Sequence, residues 1–231
     1  MKIILPGYEG TKEILTANSY FINKYMPGFD VYFLNYGIFS GKLFCGQFIS
    51  LDSEQVGGEN GWAKYAKKYL ESIDDELIIF ADGDFFITSA YNRENYDKLL
   101  KEMETHLVGF MSCGDDPKRF SRVAQYAIWN RKFLIEVLNC PERIFSIWKF
   151  ESRGGRYINA LNKQKEVVAW QPVVPYDPRS AISFHRHPGK IGVGKATRED
   201  VEFLISEGYL DRNKLVIELP GHGKPANQKY N

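Results

Sequence analysis

The sequence predicts an α/β fold with a mostly parallel central sheet and helices on both faces. Three observations lead there. Apolar runs of strand length alternate with stripes of helical spacing through the first 112 residues. Pro6-Gly7 and Pro27-Gly28 punctuate that alternation. The apolar run Leu-Ile-Ile-Phe-Ala at residues 77–81 stops at Asp82-Gly83-Asp84. In open α/β sheets, the carboxyl end of such a strand is where ligands bind.

Residues 1–5 read as a strand closed by Pro6-Gly7. Ile14, Leu15, Asn18, Phe21, Ile22 and Tyr25 mark one face of a helix that ends at Pro27-Gly28. Residues 31–36 are the next strand, and 43–49 are a further candidate. Trp62, Tyr65, Ala66, Tyr69, Leu70 and Ile73 form a second helical stripe, with Lys64, Lys67 and Lys68 mostly off it. After the strand at 77–81, Tyr96, Leu99, Leu100 and Met103 predict a third helix, and 107–112 another strand.

The second half is less regular. Phe133, Leu134, Val137 and Leu138 predict a short helix after Trp129-Asn130-Arg131. Residues 141–160 are rich in arginine, aromatic residues and glycine, and 167–170 suit a strand. Residues 172–194 carry four prolines, several glycines and two histidines, and read as loop. Thr197-Arg198-Glu199-Asp200 resembles a capping box, opening a helix with Val201, Leu204 and Ile205 on its inner face. Residues 220–231 read as a tail. No internal repeat or linker divides the chain, so a single domain over 1–231 is expected.

A net charge of +1 gives no whole-molecule field for nucleic acid. No apolar run approaches the roughly 18 residues of a membrane span. The first strand is too short for a secretory signal peptide. Cys45, Cys113 and Cys140 are far apart and in no metal spacing, which suits free thiols in a reducing cytoplasm.

Asp82 and Asp84 supply only oxygen donors, which suit Mg2+ or Mn2+ bound together with substrate phosphates. The plain alternative is an Asp-Gly turn between strands. Glu151 closes the segment Trp148-Lys149-Phe150-Glu151, just before Ser152-Arg153-Gly154-Gly155-Arg156. It is either a general base whose aromatic neighbours raise its proton affinity, or a surface partner of Arg153 or Arg156. His185 and His187 share one side if their segment is extended, and either suits a metal. We take His185 as the candidate ligand. Lys190 and Lys195 lie in a glycine-rich loop that is either a flap over a diphosphate or simply exposed. Pro6-Gly7-Tyr8 lies at a strand end, where Tyr8 can stack on a base. Asp52 precedes the lysine-bearing helix and is a candidate nucleoside contact, and Lys68 on that helix is a further nucleotide-contact candidate.

Together these features resemble the GT-A-fold glycosyltransferases. Asp82-Gly83-Asp84 matches that family's Asp-x-Asp signature. The resemblance implies a nucleotide-sugar-binding half at 1–112, an acceptor-side half at 113–219, and a tail. It implies a UDP- or GDP-sugar donor, a glycan or other hydroxyl acceptor, and a Mn2+ or Mg2+ ion held by Asp82, Asp84 and His185. Pro6, Gly7, Tyr8, Asp52, Lys68, Asp82 and Lys195 would then contact the nucleotide, and Glu151 would be the catalytic base. Whether configuration inverts or is retained stays open. The alternatives are a nucleotidyltransferase or other metal-dependent nucleotide-sugar enzyme, or a non-catalytic sugar- or protein-binding module.

Overall fold

Ile3, Ile4 and Leu5 have no exposed surface, so the strand that carries them must be covered on both faces. In the computed structural model it lies inside a seven-stranded sheet. The structure describes residues 1–7, 15–36, 39–51, 62–83, 87, 89–112, 125–139, 149–174 and 198–209. The strands are β1 (Lys2–Pro6), β2 (Asp30–Tyr36), β3 (Gln47–Leu51), β4 (Leu77–Phe80), β5 (Val108–Ser112), β6 (Ala127–Asn130) and β7 (Val168–Val174). Their order is β3-β2-β1-β4-β6-β5-β7. All neighbouring pairs are parallel except those made by β6, which runs against β4 and β5. The expected α/β architecture, with a mostly parallel sheet, is the one observed.

The helices are α1 (Leu15–Tyr25), α2 (Trp62–Glu71), α3 (Arg93–Glu102), α4 (Arg131–Leu138), α5 (Gly155–Asn162) and α6 (Arg198–Ser206). A π-helical turn at Phe150–Gly154 runs directly into α5. Strand alternation sorts the core into two layers. Ile4, Ile78, Phe80, Ala127 and Trp129 meet Ala66 and Leu70 of α2, Phe133 and Leu134 of α4, Phe150, and Ile158 of α5. Ile3, Leu5, Ile79, Ala81, Tyr126 and Ile128 meet Leu15 and Ile22 of α1, Tyr96 and Leu99 of α3, and Met103 just past its end. Leu204 of α6 packs on Ala17 and Phe21 of α1.

Four local outcomes differ from the sequence expectation. β3 starts at Gln47 rather than at 43. Leu43 and Cys45 pack on the α1 layer without forming a strand, and Gly46 turns the chain at φ +80. A Cβ on Gly46 would lie 2.6 Å from the Val31 carbonyl oxygen, so only glycine fits there. β6 is a strand that the periodicity did not announce. The π-helical turn and α5 fill a stretch read only as rich in arginine, aromatics and glycine. β7 continues through Pro172, which is tolerated because β7 is an edge strand.

Candidate functional site

The chain reverses its direction of travel across the sheet at β1. From β1 it moves outward through β2 and β3, then α2 returns it to β4 on the other side of β1. The gap above β1 and β4 is therefore a topological switch point, the usual ligand crevice of an open α/β sheet. Its floor is made by Pro6-Gly7 and Asp82-Gly83. The Gly83 amide donates to the Pro6 carbonyl at 3.2 Å, and the Gly7 amide to the Leu34 carbonyl at 2.8 Å.

Asp82 is 3% exposed, and is the only buried charged residue among those described. The Ala81 amide donates to the Ile4 carbonyl at 3.3 Å, so the parallel ladder continues past the formal end of β4. Alternation then puts Asp82 on the face of Ile78 and Phe80, the face covered by α4, the π-helical turn and α5. Its Oδ1 accepts from the Gly83 amide at 2.9 Å. Asn18 of α1, fully buried, donates through Nδ2 to the Gly83 carbonyl at 2.6 Å and so fixes the backbone beside the carboxylate. A methyl on Gly83 would meet the Pro6 oxygen at 3.6 Å and Leu15 Cδ2 at 3.9 Å, ordinary contacts. The fold itself thus does not require glycine between the aspartates.

The second element of the site is the π-helical turn. Phe150, fully buried, sets its ring edge-on to Phe80 at 5.9 Å and tilted against Trp129 at the same 5.9 Å. Phe80 is two residues before Asp82. Glu151 is the next residue of the turn, so its backbone follows Phe150 in the layer that covers this sheet face. Glu151 is half-buried there. Single π turns recur at functional sites because they re-aim side chains within a helix.

The other candidates divide. Pro6 and Gly7 lie beside Asp82-Gly83. Tyr8, Asp52, Asp84, His185 and Lys195 lie outside the described residues, as do Trp148 and His187. Lys68 is exposed in the last turn of α2. In the same turn the Leu70 carbonyl accepts from Arg131 Nη1 at 2.9 Å, and Asp75, just before β4, accepts from Arg131 Nε through its carbonyl at 2.8 Å. That end of α2 faces the amino ends of the strands, so Lys68 is not brought to Asp82.

Three neighbouring polar groups were not singled out by the sequence. Asn35, fully buried, ends the apolar run of β2 next to Gly7. Asn18 hides among the apolar positions of the α1 stripe. Gln125 directly precedes β6, whose last pair with β4 is Ala127 opposite Phe80. Its neighbour Tyr126 is buried on the opposite face, and burial pushes its phenol up from the ordinary value, keeping it neutral. Among the described residues, no three His, Cys, Asp or Glu side chains gather as a metal cluster. Nor is any helix long and apolar enough to cross a membrane.

No family model matches the chain, and no curated protein matches it. Solved structures of similar shape exist. A mannosyltransferase from Pyrobaculum calidifontis, in complex with GDP-Man and Mn2+, is 14% identical with a TM-score of 0.48, over 75% of this chain and 55% of that one. The 2-C-methyl-D-erythritol 4-phosphate cytidylyltransferase of Thermus thermophilus is 13% identical, TM-score 0.48, over 90% of this chain and 96% of that one. The glycosyltransferase GlyE of Streptococcus pneumoniae is 12% identical, TM-score 0.39, over 78% and 45%. The chain thus spans about half the length of the two glycosyltransferases it is similar to. Both glycosyl- and cytidylyltransferases are among these likenesses, and at such scores none of them bears on activity.

Proposed function

We propose that the chain is a divalent-metal-dependent glycosyltransferase, moving a sugar from a UDP- or GDP-sugar to an acceptor hydroxyl. The observation that carries the reading is the buried Asp82 carboxylate at the switch point, just past the end of β4. A carboxylate at that position belongs to an all-oxygen donor set, which suits a divalent cation on a diphosphate.

Asp82, Asp84 and His185 would hold Mn2+ or Mg2+, which when bound stabilises charge on the leaving diphosphate. Pro6, Gly7 and Tyr8 contribute the nucleoside wall, with Asp52 as a further contact. Asn18 positions the Gly83 backbone, and Lys195 neutralises phosphate. Glu151 accepts the proton of the acceptor hydroxyl.

The test is a screen of UDP-, GDP-, CMP- and dTDP-sugars for thermal stabilisation and donor hydrolysis, with and without Mn2+. Stabilisation and hydrolysis that need the metal are expected. Pyrophosphate release from a nucleoside triphosphate plus a sugar phosphate would instead establish a nucleotidyltransferase. No nucleotide effect at all would leave a binding module.

A further inference from the structure

The last pair of the β4–β6 register is Phe80 with Ala127, and the same register carried two positions past it sets Asp82 opposite Gln125. Alternation places Gln125 on the face of Ala127 and Trp129, the same face as Asp82. Directly opposed positions of an antiparallel pair hold their Cβ atoms about 5 Å apart. The Oε1 atom of Gln125 is shielded from solvent and has no hydrogen-bond partner among the described residues. Buried polar groups are normally satisfied, and an orphan beside a ligand crevice calls for an explanation.

Amide oxygen only accepts, so its partner must bring an O–H, an N–H or a cation. Beneath the pair the face is closed by Phe80, Ala127, Trp129 and Phe150, all fully buried, so a partner arrives only from the carboxyl-end crevice. The divalent cation of the proposed reading already has carboxylate and imidazole ligands in Asp82, Asp84 and His185 and keeps waters besides, so it does not call on the Gln125 amide oxygen. A sugar hydroxyl brings one donor on an otherwise compact ring. Terminal amide torsions are soft, so Oε1 can turn to meet it.

We propose that Gln125 is a specificity-determining residue that accepts a hydrogen bond from a sugar hydroxyl of the bound nucleotide sugar, beside Asp82. This rests on the nucleotide-sugar reading above. The hydroxyl belongs either to the ribose or to the transferred sugar.

The experiment compares wild type, Gln125→Leu and Gln125→Asn by calorimetric titration with UDP, GDP, UDP-glucose and GDP-mannose in Mn2+, alongside melting of the free proteins. Gln125→Leu should weaken the tightest of these ligands about tenfold, the size of one lost hydrogen bond. Gln125→Asn should weaken it in the same direction, by less. The melting temperature of Gln125→Leu should not fall, because replacing an unpaired buried oxygen removes a cost. A loss already present with the nucleoside diphosphate assigns the ribose hydroxyl, and one seen only with the sugar conjugate assigns the transferred sugar. Equal affinities in all three folded proteins overturn the inference and leave the nucleotide-sugar reading standing. A wild type that binds none of the four overturns both. A melting temperature lowered in both variants shows Oε1 to be paired within the fold, and also overturns it.

Discussion

At the amino ends of the strands, polar side chains sit partly in solvent and close on backbone groups or on one another; at the carboxyl ends they are buried. Arg131 caps two carbonyls below β4, and Lys2 pairs with Asp75 while lying 5.8 Å over the Tyr32 ring. Asn162 accepts from the Val167 and Val168 amides at the start of β7. At the other end Asn18, Asn35 and Asp82 are withdrawn from water, and Gln125 keeps a shielded oxygen without a partner among the described residues. The amino ends show that this sheet can terminate its strands without burying a charge, whereas the carboxyl end of β4 does bury one, at the switch point where open α/β sheets bind their ligands.

That contrast predicts that substitutions at the two ends separate activity from stability. The largest effect is expected at Glu151. Glu151→Gln keeps the shape and removes the basicity, so kcat should fall by about 10²–10⁴ with donor affinity unchanged. A steady-state comparison with a donor-binding titration checks this. A loss under about tenfold would make Glu151 an orienting residue instead.

At the opposite end the signs reverse. Arg131→Ala removes a charged donor from the Leu70 and Asp75 carbonyls, and should cost roughly 1–3 kcal/mol of stability. Chemical denaturation should show that loss, while turnover per folded molecule stays the same. Lost turnover with stability intact would break the contrast.

The smallest effect is a pH dependence. The hydrogen bond from Lys2 holds the Asp75 carboxyl below the usual carboxylate range. Its stabilisation is thus present above the unfolded-chain value of about 3.9, and is lost as pH falls through the lower folded value. Both side chains are partly exposed, so the pair is worth no more than about 1 kcal/mol. Asp75→Asn should flatten the acid side of the stability curve and change nothing at neutral pH beyond that amount. An unchanged acid limb would remove the pair from the account.

The sequence made one half of this molecule easier to read than the other. β1, α1, β2, α2, β4 and α3 follow one another in the order of the sheet's parallel crossovers, each with the clean spacing of its type. β6 did not show. It is four residues long, and Asn130 both ends it and caps α4, accepting from the Phe133 amide at 3.2 Å. No glycine or proline separates strand from helix there, so its apolar residues merge with the helical stripe. The Gly154-Gly155 pair likewise hid a helix behind residues of poor propensity or permissive backbone. The site was legible where it lies on one strand, as at Asp82. It was illegible where it depends on pairing. Gln125 is 43 residues beyond Asp82, and only the insertion of antiparallel β6 beside β4 carries it toward the same end of the sheet.

The central claim is that Asp82, buried at the switch point, is there to bind a metal–diphosphate group. Asp82→Asn keeps the acceptor for the Gly83 amide and removes the charge. Calorimetric titration of UDP and GDP into wild type and Asp82→Asn, with and without Mn2+, tests the claim most directly. Mn2+-dependent affinity is expected to fall at least about tenfold, or 1.4 kcal/mol, in a variant that stays folded. The same Mn2+-dependent affinity in folded Asp82→Asn would contradict the claim.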